Sequence, residues 1–287
     1  MISRSTIQLL RFHFSFFLLP VFLFALSQAI AINWQHALLA FFILHLLVYP
    51  SSNGYNSYMD RDEFSIGGLK NPLQPTQQLF WVTLGMDVLA VGLSFFISAI
   101  FAAGVLLYIL ASRAYSYRSI RLKKFPVAGY LTVVLFQGVE VFFLSYYAAS
   151  LHKTFAVPLW PMLAAGLLIG GYYPLTQVYQ HEADKKDGVS TISMLLGVRG
   201  TFVFCGCIFA AATLMMFATF YQQQKLQYFF VFIACMLPMV LFFLWWMKKT
   251  WNNSNAADFK NSLVMNVLAS ACTSICFLII LIWKTVE

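Results

Sequence analysis

Charged residues are scarce in this sequence: Asp, Glu, Lys and Arg make up 10% of its 287 residues, against about 25% in a soluble domain. Too few polar side chains remain to cover a water-facing surface, which excludes an ordinary globular enzyme and a disordered chain. Apolar and polar residues do not alternate in blocks of about ten, so a porin-type barrel is excluded too. The five cysteines (Cys205, Cys207, Cys235, Cys272, Cys276) lie in apolar runs, and even Cys272 and Cys276 have no His or third Cys beside them. They read as core thiols rather than disulfides or metal ligands. An excess of 18 Lys and Arg over 10 Asp and Glu would suggest nucleic acid on a soluble chain. Here the basic residues flank apolar runs and report orientation in a bilayer, so no nucleic-acid partner is expected.

What the sequence does have is long apolar runs, at approximately 12–32, 35–51, 77–97, 100–117, 127–149, 157–178, 200–221, 226–247 and 262–284. Each is close to the roughly 20 residues that span a bilayer as a helix. The stretch from Phe80 to Ser112 carries no charge except Asp87, and as one helix it would be about 50 Å long, well beyond the roughly 30 Å hydrocarbon core. A turn near Ser98 to Ala103 is expected to split it. Arg4 and Arg11 precede the first run, which ends in small residues near Ala25 to Ala29 as a cleaved leader would. The run from Phe12 to about Ile32 is long enough to span and is read as the first helix.

The predicted fold is therefore an all-α polytopic membrane protein with nine transmembrane helices in one bundle, a single domain over 1–287. Putting the N-terminus inside makes fifteen of the eighteen Lys and Arg residues cytoplasmic and leaves only Lys153, Lys225 and Lys284 outside. Merging the third and fourth spans would carry the Arg113 to Lys124 cluster across, against the positive-inside bias. The long charged connections, about 52–76, 118–126 and 179–199, then share the cytoplasmic face, where function is expected. A bacterial inner membrane is the expected location.

Six of the ten acids form two clusters on that face. Asn53, Asn56 and Asp60, extended by Glu63, fall three and four residues apart after the second span, as do Gln177, Gln180 and Asp184 after the sixth. On a helix each set makes an oxygen-rich row. Similar rows in the two halves suggest a duplicated unit: repeat one about 12–117, repeat two about 127–247, and a ninth helix about 262–284. Either row alone is equally a solvated loop. Paired on one face, with Lys and Arg nearby, they suit a hard divalent cation such as Mg²⁺ carrying a polyanion, with Asn56, Asp60, Glu63, Gln180 and Asp184 as ligands.

These residues resemble the UbiA superfamily of intramembrane prenyltransferases, which has Asp-rich motifs after its second and sixth helices. Asn56 and Asp60 match the start of Asn-x-x-x-Asp-x-x-x-Asp; its third position is Phe64, so Asp62 or Glu63 would stand in. Asp184, Gly188, Thr191 and Leu196-Gly197 match the second motif, with Gln180 in place of its first Asp. Tyr115-Ser116-Tyr117 through Arg121-Leu122-Lys123 is similar to the family's basic segment after the fourth helix. The resemblance implies transfer of an isoprenyl group from a polyprenyl diphosphate donor to a hydrophobic acceptor, aromatic or lipid, among membrane lipids. Mg²⁺ is the implied cofactor; Lys70, Tyr115, Arg121, Lys123 and Lys185 would hold diphosphate, and Asp60, Asp184 and Glu140 would be catalytic. The segment Gly67 to Pro72 lacks the family's Arg-Pro pair and identifies no acceptor.

Two acids lie within spans, where a charge costs at least about 2.5 kcal/mol. Glu140 orients or deprotonates the acceptor, or is a neutral core acid; Asp87, without polar sequence neighbours, reads as structural. His45 reads as a core histidine, His152 as solvated and His181 as a bystander. The alternatives are a catalytically weakened relative acting as a binding or scaffold protein, and a secondary transporter. A transporter would place charge near the midplane on Gly/Pro-broken helices, whereas these clusters sit at the membrane edge. A lipid phosphotransferase would carry an Asp-Gly-x-x-Ala-Arg type of run, which is absent.

Overall fold

The computed structural model describes residues 2–286, and among them no β-strand forms. Seven helical stretches are long and apolar enough to cross a membrane: Arg4–Gln28, Trp34–Asp60, Ala99–Ser116, Pro126–Ala149, Ile192–Gln222, Leu226–Asn252 and Phe259–Val286. The chain is an all-helical integral membrane protein. Its outer surface is correspondingly apolar: Trp81, Val88, Phe96, Leu214 and Phe230 are each at least 60% exposed, as side chains solvated by lipid tails should be.

Several of these stretches are broken. The first consists of α1 (Arg4–Leu9), a 3-10 turn over Phe12–Phe17 and α2 (Leu19–Gln28), so it starts well before the expected residue 12. The second runs α3 (Trp34–Phe41), a π-helical segment over Phe42–Val48 and α4 (Tyr49–Asp60). Helices α5 (Gln77–Ser94) and α6 (Ala99–Ser116) divide the long apolar stretch a few residues earlier than expected, because the Ser98 side chain accepts from the Phe101 N–H at 3.0 Å and caps α6. The stretch Pro126–Ala149 consists of α7 (Pro126–Val133), a second π segment over Val134–Glu140 and α8 (Val141–Ala149).

Helix α9 (Leu159–Tyr172) tightens into a 3-10 turn at Tyr173–Thr176 and leads to the short α10 (His181–Lys186). Helix α11 (Ile192–Gln222) is kinked at Gly197, whose φ of 67° and ψ of 168° suit only glycine. It is followed by α12 (Leu226–Asn252) and α13 (Phe259–Val286).

The core is aromatic. Phe24 of α2 stacks on Phe277 of α13 with ring centres 4.2 Å apart and meets Phe142 of α8 edge-on at 5.2 Å, so three helices distant in sequence share one contact. The cysteines are unpaired, with Cys205, Cys272 and Cys276 buried and Cys207 exposed.

Asp87 corrects the reading that it has no polar neighbours. It is buried, ion-paired with Arg113 of α6, and accepts from the Ser51 hydroxyl of α4 at 2.6 Å. Its partners come from other helices, which is why no local spacing revealed them. His45 is buried against Ser15, its Nδ1 2.8 Å from the hydroxyl.

Candidate active site

Helix α4 extends the second stretch past its apolar portion, so Asn56 and Asp60 project from its last two turns. The Asn56 amide donates to Asp60 Oδ2 at 2.9 Å and to the Ser116 hydroxyl at 3.1 Å. Arg61 then takes a left-handed φ of 54° and ends the helix. The expected continuation of the row to Glu63 fails for that reason. Glu63 and Phe64 are exposed and off the cavity, whereas Asp62 turns back and lines it.

From the other half, Gln177 and Gln180 lie on the turn between the 3-10 segment and α10. They form no continuous helical row with Asp184, yet Asp184 N–H donates to Gln180 O at 2.8 Å and all three side chains line the same cavity. That cavity, about 240 Å³, is thus walled by both acidic clusters, with Tyr115, Lys123 and Arg11 between them. The Tyr115 and Tyr173 hydroxyls are hydrogen-bonded across it. The same wall includes the apolar and aromatic side chains of Phe14, Phe17, Phe136 and Ile169.

Cations crowd this end. Lys123 pairs with Asp60, and Arg121 pairs with both Asp60 and Asp187. Arg118 donates to Met59 O at 2.7 Å, at the C-terminal end of α4. Arg11, Arg61 and Arg121 all have left-handed φ, at 46°, 54° and 49°, conformations that cost non-glycine residues energy and gather near functional sites. Burial pushes the Asp62 carboxyl up to about 6, helped by the Asp60 charge, and pushes Asp184 up to about 7.

Of the other expected site residues, Lys70 and Lys185 are exposed and do not line the cavity. Arg121 is buried but acts through its ion pairs. Glu140 lies deeper, outside the lining, with Oε2 buried and unpartnered. His181 also stays off the lining, its Nε2 2.7 Å from the Ser193 hydroxyl.

Arg11 was not anticipated at all. Only 6% exposed, it donates to Asn53 O at 3.1 Å and Gly67 O at 3.3 Å. A lone Arg opening an apolar run carries no signal beyond orientation.

Among the described residues no group of three or more His, Cys, Asp and Glu side chains is arranged as a metal site. The donor set here mixes carboxylates with amides. Asp60 Oδ1, Asp184 Oδ2 and Gln177 Oε1 are buried without a hydrogen-bond partner, and all three residues line the cavity. Buried oxygens normally find partners. Two orphans, with an Asp60 oxygen that meets only the Arg121 guanidinium at 3.5 Å, fit a hard, oxygen-seeking cation such as Mg²⁺.

The model of the UbiA prenyltransferase family matches residues 15–268. The chain belongs to that family. UbiA homologues also share its fold. That from Archaeoglobus fulgidus bound to DMAPP and Mg²⁺ superimposes with a TM-score of 0.72 at 18% identity, over 96% of this chain and 99% of that one. The same homologue bound to GPP and Mg²⁺ gives 0.70 at 19% identity, over 96% and 99%. A UbiA homologue from Aeropyrum pernix K1 in its apo form gives 0.64 at 17% identity, over 91% and 97%. No curated protein matches the sequence at a significant level.

Proposed function

We propose that this UbiA family member is an intramembrane prenyltransferase that moves an isoprenyl group from a polyprenyl diphosphate to an aromatic or lipid acceptor. The observation that carries this reading is the one cavity walled by Asn56, Asp60, Asp62, Gln180 and Asp184, with orphaned oxygens at its polar end and aromatic rings beyond. The family match and the homologue complexes with DMAPP or GPP and Mg²⁺ support it.

On this reading Asn56, Asp60, Asp62, Gln180 and Asp184 hold Mg²⁺, with Gln177 contributing its amide oxygen. When bound, the ion supplies positive charge that stabilises the departing diphosphate. Lys123 shifts from Asp60 toward phosphate oxygens, Tyr115 donates its hydroxyl, and Arg121 anchors the basic turn through Asp187. Phe14, Phe17 and Phe136 pack the isoprenyl chain, exclude water from the allylic carbon and present ring faces to its developing positive charge. Lys70 and Lys185 are not assigned a diphosphate contact.

The architecture proposed with this function has nine spans, counting α5 and the shorter α9 with the seven long stretches. These form two repeats, about 12–117 and 127–247, and a ninth helix. The acidic end faces the cytoplasm of a bacterial inner membrane; labelling of cysteines placed at Ser119 or Ser190 by an impermeant reagent added outside would reverse that orientation.

The deciding experiment incubates purified protein in detergent with Mg²⁺, labelled polyprenyl diphosphates of several lengths and a membrane lipid extract. Labelled product is expected. Asp60→Asn and Asp184→Asn should each weaken Mg²⁺-dependent donor binding at least tenfold, about 1.4 kcal/mol. Unchanged binding in both, with folding intact, overturns the site, and no transfer across the panel overturns the activity.

A further inference from the structure

Helices α4 and α6 meet through polar side chains at a constant offset. The hydroxyls of Ser52 and Ser112 are 2.5 Å apart, and one turn further on the Asn56 amide donates to the Ser116 hydroxyl at 3.1 Å. Each pair is separated by 60 residues, as two helices running the same way must keep when both advance about four residues per turn. All four residues line the cavity. The next turn of α4 brings Asp60, whose partner Lys123 comes from the basic turn beyond the end of α6.

An asparagine amide turned half a revolution presents nitrogen where it presented oxygen, and only the oxygen can hold a cation. Here both amide hydrogens of Asn56 are taken. One goes to Asp60 Oδ2 at 2.9 Å and the other to the Ser116 hydroxyl oxygen. Asp60, ion-paired with Lys123 and Arg121, can only accept, so it holds the nitrogen on its own side. Ser116 holds it from the other helix. The polar atom of the Asn56 side chain left to meet a ligand is its oxygen.

A hydroxyl inside a span needs no such partner. Ser94 and Thr273 return theirs to the carbonyls of Ala90 and Ala269, four residues back, at 2.7 Å, the usual local arrangement in a helix. Ser116, 1% exposed at the end of α6, turns its oxygen across to α4 instead. On the reading of this cavity as a Mg²⁺ site, on which the inference rests, we propose that Ser116 is a positioning residue that orients the Asn56 amide with its oxygen toward the cation. Partners that orient metal ligands in this way commonly govern affinity by about ten- to a hundredfold. The same arrangement accounts for an amide rather than a carboxylate at position 56, since a second carboxylate would repel Asp60 in the metal-free protein where the amide now donates to it.

The test uses Mg²⁺ alone as the probe and reads the concentration that gives half the maximal rise in melting temperature of the detergent-purified full chain. Ser116→Ala should raise that concentration at least about tenfold, and Ser116→Thr, which keeps the hydroxyl, should return it close to the parental value. Asn56→Asp ends in two equivalent oxygens and needs no orienting. It should bind Mg²⁺ no more weakly than the parent, and adding Ser116→Ala to it should change the value little. The proposal is overturned if Ser116→Ala leaves the parental Mg²⁺ dependence in place, if it costs the same factor in both backgrounds, as a packing residue would, or if Asn56→Asp no longer binds Mg²⁺. A parent that Mg²⁺ does not stabilise removes the metal site and the proposal together. The same samples then receive labelled geranyl diphosphate and a membrane lipid extract. A Ser116-dependent Mg²⁺ response with no labelled product removes the transferase reading and leaves the positioning role standing.

Discussion

The Lys123 ammonium donates to Oδ2 of Asp60, tying the basic turn after α6 to the end of α4. Their side chains are only 13% and 4% exposed, and removing one partner of a buried pair costs about 3–5 kcal/mol because the other charge stays buried. Lys123→Met should therefore lower the melting temperature of the metal-free protein. It should also enlarge the stabilisation that millimolar Mg²⁺ confers, since the ion then replaces a missing cation beside Asp60. Melting curves with and without Mg²⁺ check this. An equal Mg²⁺ increment in parent and variant would mean that Asp60 does not face the metal.

Much of this site was legible because helical spacing persisted beyond the apolar run: Asn56 and Asp60 share a face of α4 as their separation by four requires. The end of that helix was not legible. Arg61 adopts its left-handed φ without a glycine or asparagine to announce it, so Asp62 rather than Glu63 turns to the cavity. Gln177, Gln180 and Asp184 converge despite an irregular turn between them, because the cavity selects their positions rather than a helix. Arg11 and the Arg113–Asp87 pair depend on contacts between elements far apart in sequence, which no local pattern encodes.

The Arg113–Asp87 pair is the next test. Arg113 also donates to the Ser51 hydroxyl at 3.2 Å and lies 3.8 Å over the Tyr55 ring, so it joins α4, α5 and α6 below the site. Asp87→Leu should cost about 3–5 kcal/mol by stranding the guanidinium, while Asp87→Leu with Arg113→Met should recover most of that loss. A double-mutant cycle on unfolding in detergent measures the coupling. Purely additive single effects would show that the two charges do not stabilise one another.

Gly138 sits where the second π segment crosses α9. A Cβ there would come within 2.6 Å of Gly166 Cα, a backbone atom that cannot rotate aside. Gly138→Ala should push the helices apart and cost about 1–3 kcal/mol. Gly85→Ala in α5 meets nothing within 4 Å and should instead gain about 0.5–1 kcal/mol from helix propensity. Thermal melts of the two variants should shift in opposite directions; two equal shifts would contradict the close crossing that positions Glu140.

The acidic end should also leave its mark on stability against pH. Asp184 titrates at about 7 and Asp62 at about 6, each raised chiefly by burial from the ordinary 3.8. Between about pH 4 and 7 the folded protein therefore holds more protons than the unfolded chain, so these groups make stability fall as pH rises through that window. Their penalty is absent below the unfolded value and complete above the folded one. With a chelator present to keep metals away, the melting temperature should be higher near pH 5 than near pH 7.5. Asp184→Asn has no proton to lose, so it should flatten the upper part of that slope, from about pH 6 upward. Melts of parent and variant over that range decide the matter: identical slopes would mean that Asp184 titrates as an ordinary solvated carboxylate and is not held in the desolvated position that leaves its oxygen free for a cation.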